Sequence, residues 1–392
     1  MSIGILIFLG VLVVAFAVLK IGDIFSPWFL TAAVWFAILF LFLFNETLDP
    51  LGPQFLTSVT IWVPIFCVSS LLMYYALPAH EKKEKGTSID INTGVFNVLF
   101  FLSVVMTPLY LYRIMQTIML FDPADMLYNL RIMAVYGEQD YGILKYSSVI
   151  NMSLLAVAIW HYPKTPLWKL LTIYFECGLS AFAIMEKGML FFFLTATVFV
   201  LYEKKVIKVR SIAIGAAVVV VLFFLMNSAR DSSEVSDEDK MTFIDFFALY
   251  ILSPSVAYER ISEDLSGQFG SNTFYAFYNI LNRFGADFEI NLKLKEFVWV
   301  PIPTNVYTIF QPFFQDFGQK GVALFAFLYG SLSGWAYRLF RNGNVFGKCV
   351  YIYIAYVLIL QFFQDNLILS APIVAQFLIC LWPMTQDKIH FQ

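Results

Sequence analysis

Charge is what this chain has least of: Asp, Glu, Lys and Arg make up 14% of its 392 residues, against 60% hydrophobic ones. That balance excludes a soluble globule, because a chain of this length has no core large enough to hide so much apolar surface. Histidine is scarce too. His80, His161 and His390 are far apart and lack ligand spacing, so no metal site and no cofactor are expected. The cysteines Cys67, Cys177, Cys349 and Cys380 fall inside or at the ends of apolar runs, which leaves no pair for an exposed disulfide. There is no phosphate-binding glycine loop, no G-x-G-x-x-G and no internal repeat. A net charge of −3 marks no partner, and a nucleic acid is not expected among the partners.

What the chain does have is long apolar runs. A bilayer crossing needs about 20 apolar residues, and about 11 stretches qualify or nearly so. They are 3–19, 27–44, 55–77, 95–119, 143–160, 167–184, 189–202, 211–226, 322–339, 350–363 and 367–382. No basic residue precedes the first run, so it is taken as a permanent span, not a signal peptide. The expected fold is an all-α, polytopic membrane protein: helices in 1–229, a large outer loop at 230–320, then helices and a short tail in 321–392.

Orientation follows from lysine and arginine, which stay with cytoplasmic loops. One set of alternate connections holds Lys20, Lys82, Lys83, Lys85, Lys164, Lys169, Lys204, Lys205, Lys208, Arg210, Arg338, Arg341, Lys348 and Lys388. The opposite set includes 45–54, 121–142, the turn at 186–188, the long loop and 364–366. This places the N-terminus and the long loop outside, and the C-terminus in the cytoplasm.

The outer segments carry amphipathic patterns too short to span. Phe243, Phe246, Phe247, Tyr250 and Ile251 recur at helical spacing, as do Phe274, Phe277, Tyr278 and Leu281. Asp122, Pro123 and Asp125 open a third such stretch before Met126, Leu127, Leu130 and Met133. Helices of this kind lie in the membrane interface. Outward basic residues are disfavoured by topology, yet Arg113, Arg131, Lys187, Arg230, Arg260 and Arg283 all map there. Each has two readings: a side chain snorkelling to lipid phosphates, or a member of an anion clamp for phosphate or pyrophosphate. The run Asp237-Glu238-Asp239 has the spacing of a nucleotide-sugar metal motif, but it faces outward in an acidic stretch and reads as solvated loop.

Two stretches carry a resemblance. The first is Ile184-Met185-Glu186-Lys187-Gly188-Met189-Leu190, followed by an apolar run and Glu203-Lys204-Lys205. The second is Pro303-Thr304-Asn305-Val306-Tyr307-Thr308, then Pro312-Phe313-Phe314-Gln315-Asp316-Phe317-Gly318 and Gly321. Both resemble segments of bacterial O-antigen and capsule repeat-unit polymerases, the Wzy type, with Lys187 standing where that family usually has arginine. The resemblance implies an architecture related to the GT-C glycosyltransferases, in the cytoplasmic (inner) membrane. It also implies transfer of a glycan from one undecaprenyl diphosphate carrier to the terminal sugar hydroxyl of a second carrier-linked oligosaccharide. The expected partners are that lipid-linked oligosaccharide, the lipid bilayer and a chain-length regulator protein. Since the leaving group is a diphosphate, Arg230, Arg131 and Lys187, then Arg113, Arg260 and Arg283, are candidates for stabilising its charge without metal. The acceptor hydroxyl must lose a proton, for which Asp316, Glu186 and Glu289 are the leading carboxylates, with Asp287 and Asp365 behind them. Asp316 has an equal alternative as the N-cap of the ninth span. The rival classes are a lipid-linked oligosaccharide flippase or transporter, an O-antigen ligase-like transferase, and a non-catalytic scaffold.

Overall fold

A computed structural model describes residues 2–79, 90–119, 126, 129–130, 141–183, 187–212, 214–215, 221, 225, 250–263, 268–290, 295–301 and 303–386. Apolar helices dominate the described residues, as in an all-α membrane protein, and one two-residue antiparallel strand pair, Val298–Trp299 with Pro303–Thr304, accompanies them. The helices are α1 (Ser2–Val18), α2 (Pro27–Phe42), α3 (Pro53–Ala76), α4 (Thr93–Ile118), α5 (Ser147–His161), α6 (Leu167–Ala183) and α7 (Lys187–Glu203). After these come the short α8 (Ser253–Ala257) and α9 (Tyr275–Arg283), then α10 (Gln311–Arg341), α11 (Val345–Ile359) and α12 (Ala371–Thr385). Proline opens α2, α3 and α10, where its missing N–H and fixed φ suit the first turn. By length and composition, 4 helical stretches among the described residues can cross a membrane: Pro53–Ala76, Thr93–Gln116, Gly142–His161 and Val345–Phe362. Shorter apolar helices run over Ile3–Val18, Pro27–Phe42, Gly188–Glu203 and Ala371–Thr385.

Some expected boundaries shift. The ninth span, read from Val322, extends back to a kink at Gly318, and a short helical segment from Gln311 precedes the kink; that polar entrance (Gln315, Asp316, Gln319, Lys320) is invisible to hydropathy. The last helix begins at Ala371, since Asp365 accepts hydrogen bonds from the Leu367 and Leu369 amides and folds that stretch into a turn. Of the loop patterns, the second is helical as α9. Most of span 211–226, residues 243–249 and most of 121–134 lie outside the described residues.

The chain interleaves two compact units. One comprises Met1–Glu81, Phe243–Asn342 and Val357–Val374; the other Lys82–Thr242, Gly343–Tyr356 and Ala375–Gln392. In the first, α3 and α10 touch backbone to backbone: a Cβ on Gly330 would lie 2.5 Å from the Phe66 carbonyl oxygen, and one on Gly334 would lie 2.2 Å from that of Ser70. Small residues permit such approach inside a membrane. Trp35 stacks on Phe310 and Trp62 on Phe313, and both indoles donate to Gln361 Oε1 at 3.0 and 3.3 Å. At one end of this unit Arg338 donates twice to the Leu77 carbonyl, and Arg341 pairs with Asp23 at 2.7 Å.

In the second unit α5 is buried along almost its whole length. The Ser103 hydroxyl, on α4, bonds both Asn151 on α5 and Glu176 on α6. Glu176 is thus a buried acid in the middle of an apolar helix, joined to its neighbours by a polar hub. At one end of this unit Lys164 meets Asp90, and Lys204 donates to the carbonyls of Ile159, Trp160 and Tyr162. Basic loops assigned to one membrane face therefore meet at one end within each unit.

Candidate functional site

The first unit's other end is polar, and it is built on the N-terminus of α3. The first amides of a helix have no partner inside it and carry partial positive charge. Here the Glu259 carboxylate accepts from the amides of Gln54 at 3.2 Å and Phe55 at 3.0 Å. Gly52 makes room for it, since a Cβ there would lie 2.1 Å from the carboxyl carbon. The Gln54 side chain donates to the carbonyls of Tyr258 (2.8 Å) and Ile261 (3.1 Å). Ser58 lies 2.9 Å from the Tyr258 hydroxyl and donates to Gln319 at 3.0 Å. Burial pushes the Tyr258 phenol far above its usual range, so it keeps its proton. The stretch after α8 is thereby tied to α3 and to α10.

The entrance of α10 is broken. Gly318 has φ 60° and ψ −154° inside an otherwise helical segment, a conformation open to glycine because it lacks a Cβ. Just before the break, the Asp316 carboxylate accepts from the Asn272 amide (3.1 Å), Asn272 Nδ2 (2.8 Å), the Thr273 amide (2.6 Å) and Ser271 Oγ (3.4 Å). Lys295 in turn donates to Asn272 Oδ1 at 2.6 Å. The donors to Asp316 all come from residues 271–273 and none from the helix that follows Gly318, so it fastens the turn ahead of α9 and does not serve as an N-cap.

The other candidates distribute as follows. Arg260 pairs with Asp49 at 2.9 Å, both partly exposed. Arg283 is exposed at the C-terminal end of α9, and Asp287 and Glu289 are exposed beyond it. Asp365 is buried and accepts from Tyr329 at 2.7 Å as well as from the turn amides. Arg113 belongs to the second unit, exposed on α4 beside Gln116. Lys187 is the first residue of α7, and its side chain lies outside the description. Arg131, Glu186, Arg230 and the run Asp237-Glu238-Asp239 lie outside the described residues. Several polar participants escaped sequence reasoning, among them Ser58, Tyr258, Glu259, Asn272, Lys295 and Gln319: they resemble ordinary core or loop residues, and periodicity does not pair positions 200 residues apart. Glu176 did leave a signal, a lone acid in an apolar run.

No family model matches the chain, and no solved structure matches it. Over 142 residues the chain is 26% identical to the Escherichia coli (strain K12) protein named "Putative O-antigen polymerase". The match spans 36% of this chain and 36% of that protein.

Proposed function

We propose that this chain lengthens a surface glycan by joining lipid-linked oligosaccharide repeats at the outer face of the inner membrane. The likeness to the Escherichia coli protein named for O-antigen polymerisation carries the reading. A polar cluster confined to one end of a bundle of apolar helices agrees with it. The donor glycan is carried on undecaprenyl diphosphate, and the acceptor is the terminal sugar hydroxyl of a second carrier-linked repeat. As the anomeric C–O bond breaks, charge develops on the diphosphate, and cationic side chains set in place beforehand stabilise it. Arg230, Arg131, Lys187, Arg113, Arg260 and Arg283 are assigned to that role. Among the carboxylates proposed as proton acceptor, Asp316 already receives four donors, so we assign it to positioning the 271–273 turn. The proposed membrane arrangement is about 11 spans in a GT-C-like bundle, with the N-terminus outside.

One observation favours a transporter, because broken helices line transport sites. The Gly318 break, however, lies at the polar entrance of α10 and not midway along it. Proteoliposomes holding the purified chain and lipid-linked repeats separate the readings. Polymerase activity appears as a ladder of lengthened glycan, insensitive to chelator. Arg230→Ala and Lys187→Ala each lose about 3 kcal/mol of transition-state stabilisation, on the order of a hundredfold in rate, while Lys187→Arg keeps most of it. Movement of repeats across the bilayer without lengthening establishes the transporter instead, and activity restored to chelated protein by Mg²⁺ overturns the metal-free clamp.

A further inference from the structure

The stretch from Tyr258 to Glu263 is held against α3 by the Glu259 carboxylate, the Gln54 side chain and the Ser58–Tyr258 hydroxyl pair. Its last described residue, Glu263, is delivered to the break in α10. A Cβ at position 318 would lie 2.7 Å from Glu263 Oε1 and 3.2 Å from its carboxyl carbon. Glycine is favoured at 318 by its positive φ, and its missing side chain leaves the Glu263 carboxylate lying directly over the break. Four other acids of this unit are occupied: Asp49 by Arg260, Glu259 by the α3 amides, Asp316 by the 271–273 turn, and Asp365 by Tyr329 and the turn before α12, while Asp287 and Glu289 are exposed beyond α9. Glu263 is exposed and takes no hydrogen bond or ion pair from the described residues. Gln319, the next residue after Gly318, accepts a hydrogen bond from the Ser58 hydroxyl, and amide and hydroxyl groups are of the kind that hold sugar hydroxyls.

We propose that Glu263 is the general base of the transfer, an assignment that rests on the polymerase reading above. The acceptor hydroxyl gives its proton to the Glu263 carboxylate, and its oxygen forms the new glycosidic bond at the donor's anomeric carbon. The bond from that carbon to the diphosphate breaks, and its electron pair departs with undecaprenyl diphosphate. The proton then passes from Glu263 to water. A purely structural role is also concrete: a carboxylate at the start of the helical segment after Gly318 would neutralise that helix end.

The experiment uses full-length chain in proteoliposomes with purified lipid-linked repeats, and scores initial lengthening rate and melting temperature together. Glu263→Gln keeps size and polarity but cannot take the proton. Its kcat should fall on the order of a hundredfold to ten-thousandfold with KM for the acceptor repeat and melting temperature unchanged. Glu263→Asp should keep part of the rate, and added formate should restore part of the activity of Glu263→Ala. A wild-type rate in Glu263→Gln overturns the assignment. So does a lowered melting temperature with full rate per folded molecule, which identifies a helix-end role. If wild-type protein itself lengthens no glycan, the polymerase reading fails and the base assignment falls with it; the wild-type reaction tells the two failures apart.

Discussion

At the mouth of α10 two carboxylates meet different surroundings. Asp316 is half-buried and receives two backbone amides, a side-chain amide and a hydroxyl, whereas Glu263 is exposed and receives none among the described residues. The consequences of removing them should differ in kind. Asp316→Ala strands the Asn272 and Thr273 amides, and each unsatisfied buried donor costs about 1–3 kcal/mol. A drop in melting temperature of the detergent-solubilised protein should report this, with Asp316→Asn intermediate because it keeps one acceptor oxygen. An unchanged melting temperature in Asp316→Ala would mean the turn holds without its carboxylate.

Helix pairing rests on a spacing that the hydrophobic pattern hides. Gly330 and Gly334 lie one turn apart on α10, and their missing side chains let the α3 backbone at Phe66 and Ser70 come into contact. At Gly334 the neighbouring atoms are all Ser70 backbone, which cannot rotate away as a side chain would. Gly334→Val should destabilise at or beyond the upper end of the usual overpacking cost of about 1–3 kcal/mol. Gly178→Ala is the control: it lies within α6, a Cβ there meets nothing within 4 Å, and alanine is the better helix former by about 1 kcal/mol. Thermal unfolding and membrane yield of the two variants should diverge, and equal stability would show that the α3–α10 approach tolerates a side chain.

Over the whole molecule, the basic loops gather at one end of each unit: Asp23, Leu77, Arg338 and Arg341 in one, Asp90, Lys164 and Lys204 in the other. The proposed orientation puts these ends in the cytoplasm. Cysteines introduced at Asn45 and Ser233 should react with an impermeant thiol reagent in intact cells, and one at Lys83 only after permeabilisation. Background should be low, because Cys67, Cys177 and Cys349 are buried and Cys380 is half-buried. The reverse pattern would move the polar end of the first unit, with Glu263 and Asp316, to the cytoplasmic side and remove the outward transfer site.

The class of the protein and most of its helices were legible from composition and hydropathy alone, because a bilayer forces each crossing segment to satisfy its own backbone and to be apolar along its length. Charge distribution grouped the loops into alternating sets, and within each unit basic loops of one set meet at one end. The polar entrance of α10, the turn before α12 and the site itself were not legible, since a hydropathy window sees only neighbours in the chain. Only the folded structure brings Glu259 onto the start of α3, Asp316 onto the 271–273 turn, Ser70 against Gly334 and Glu263 over Gly318. Each of those pairings joins residues tens to hundreds of positions apart, and which carboxylate is spent on structure and which is left to react is decided by the neighbours that packing supplies.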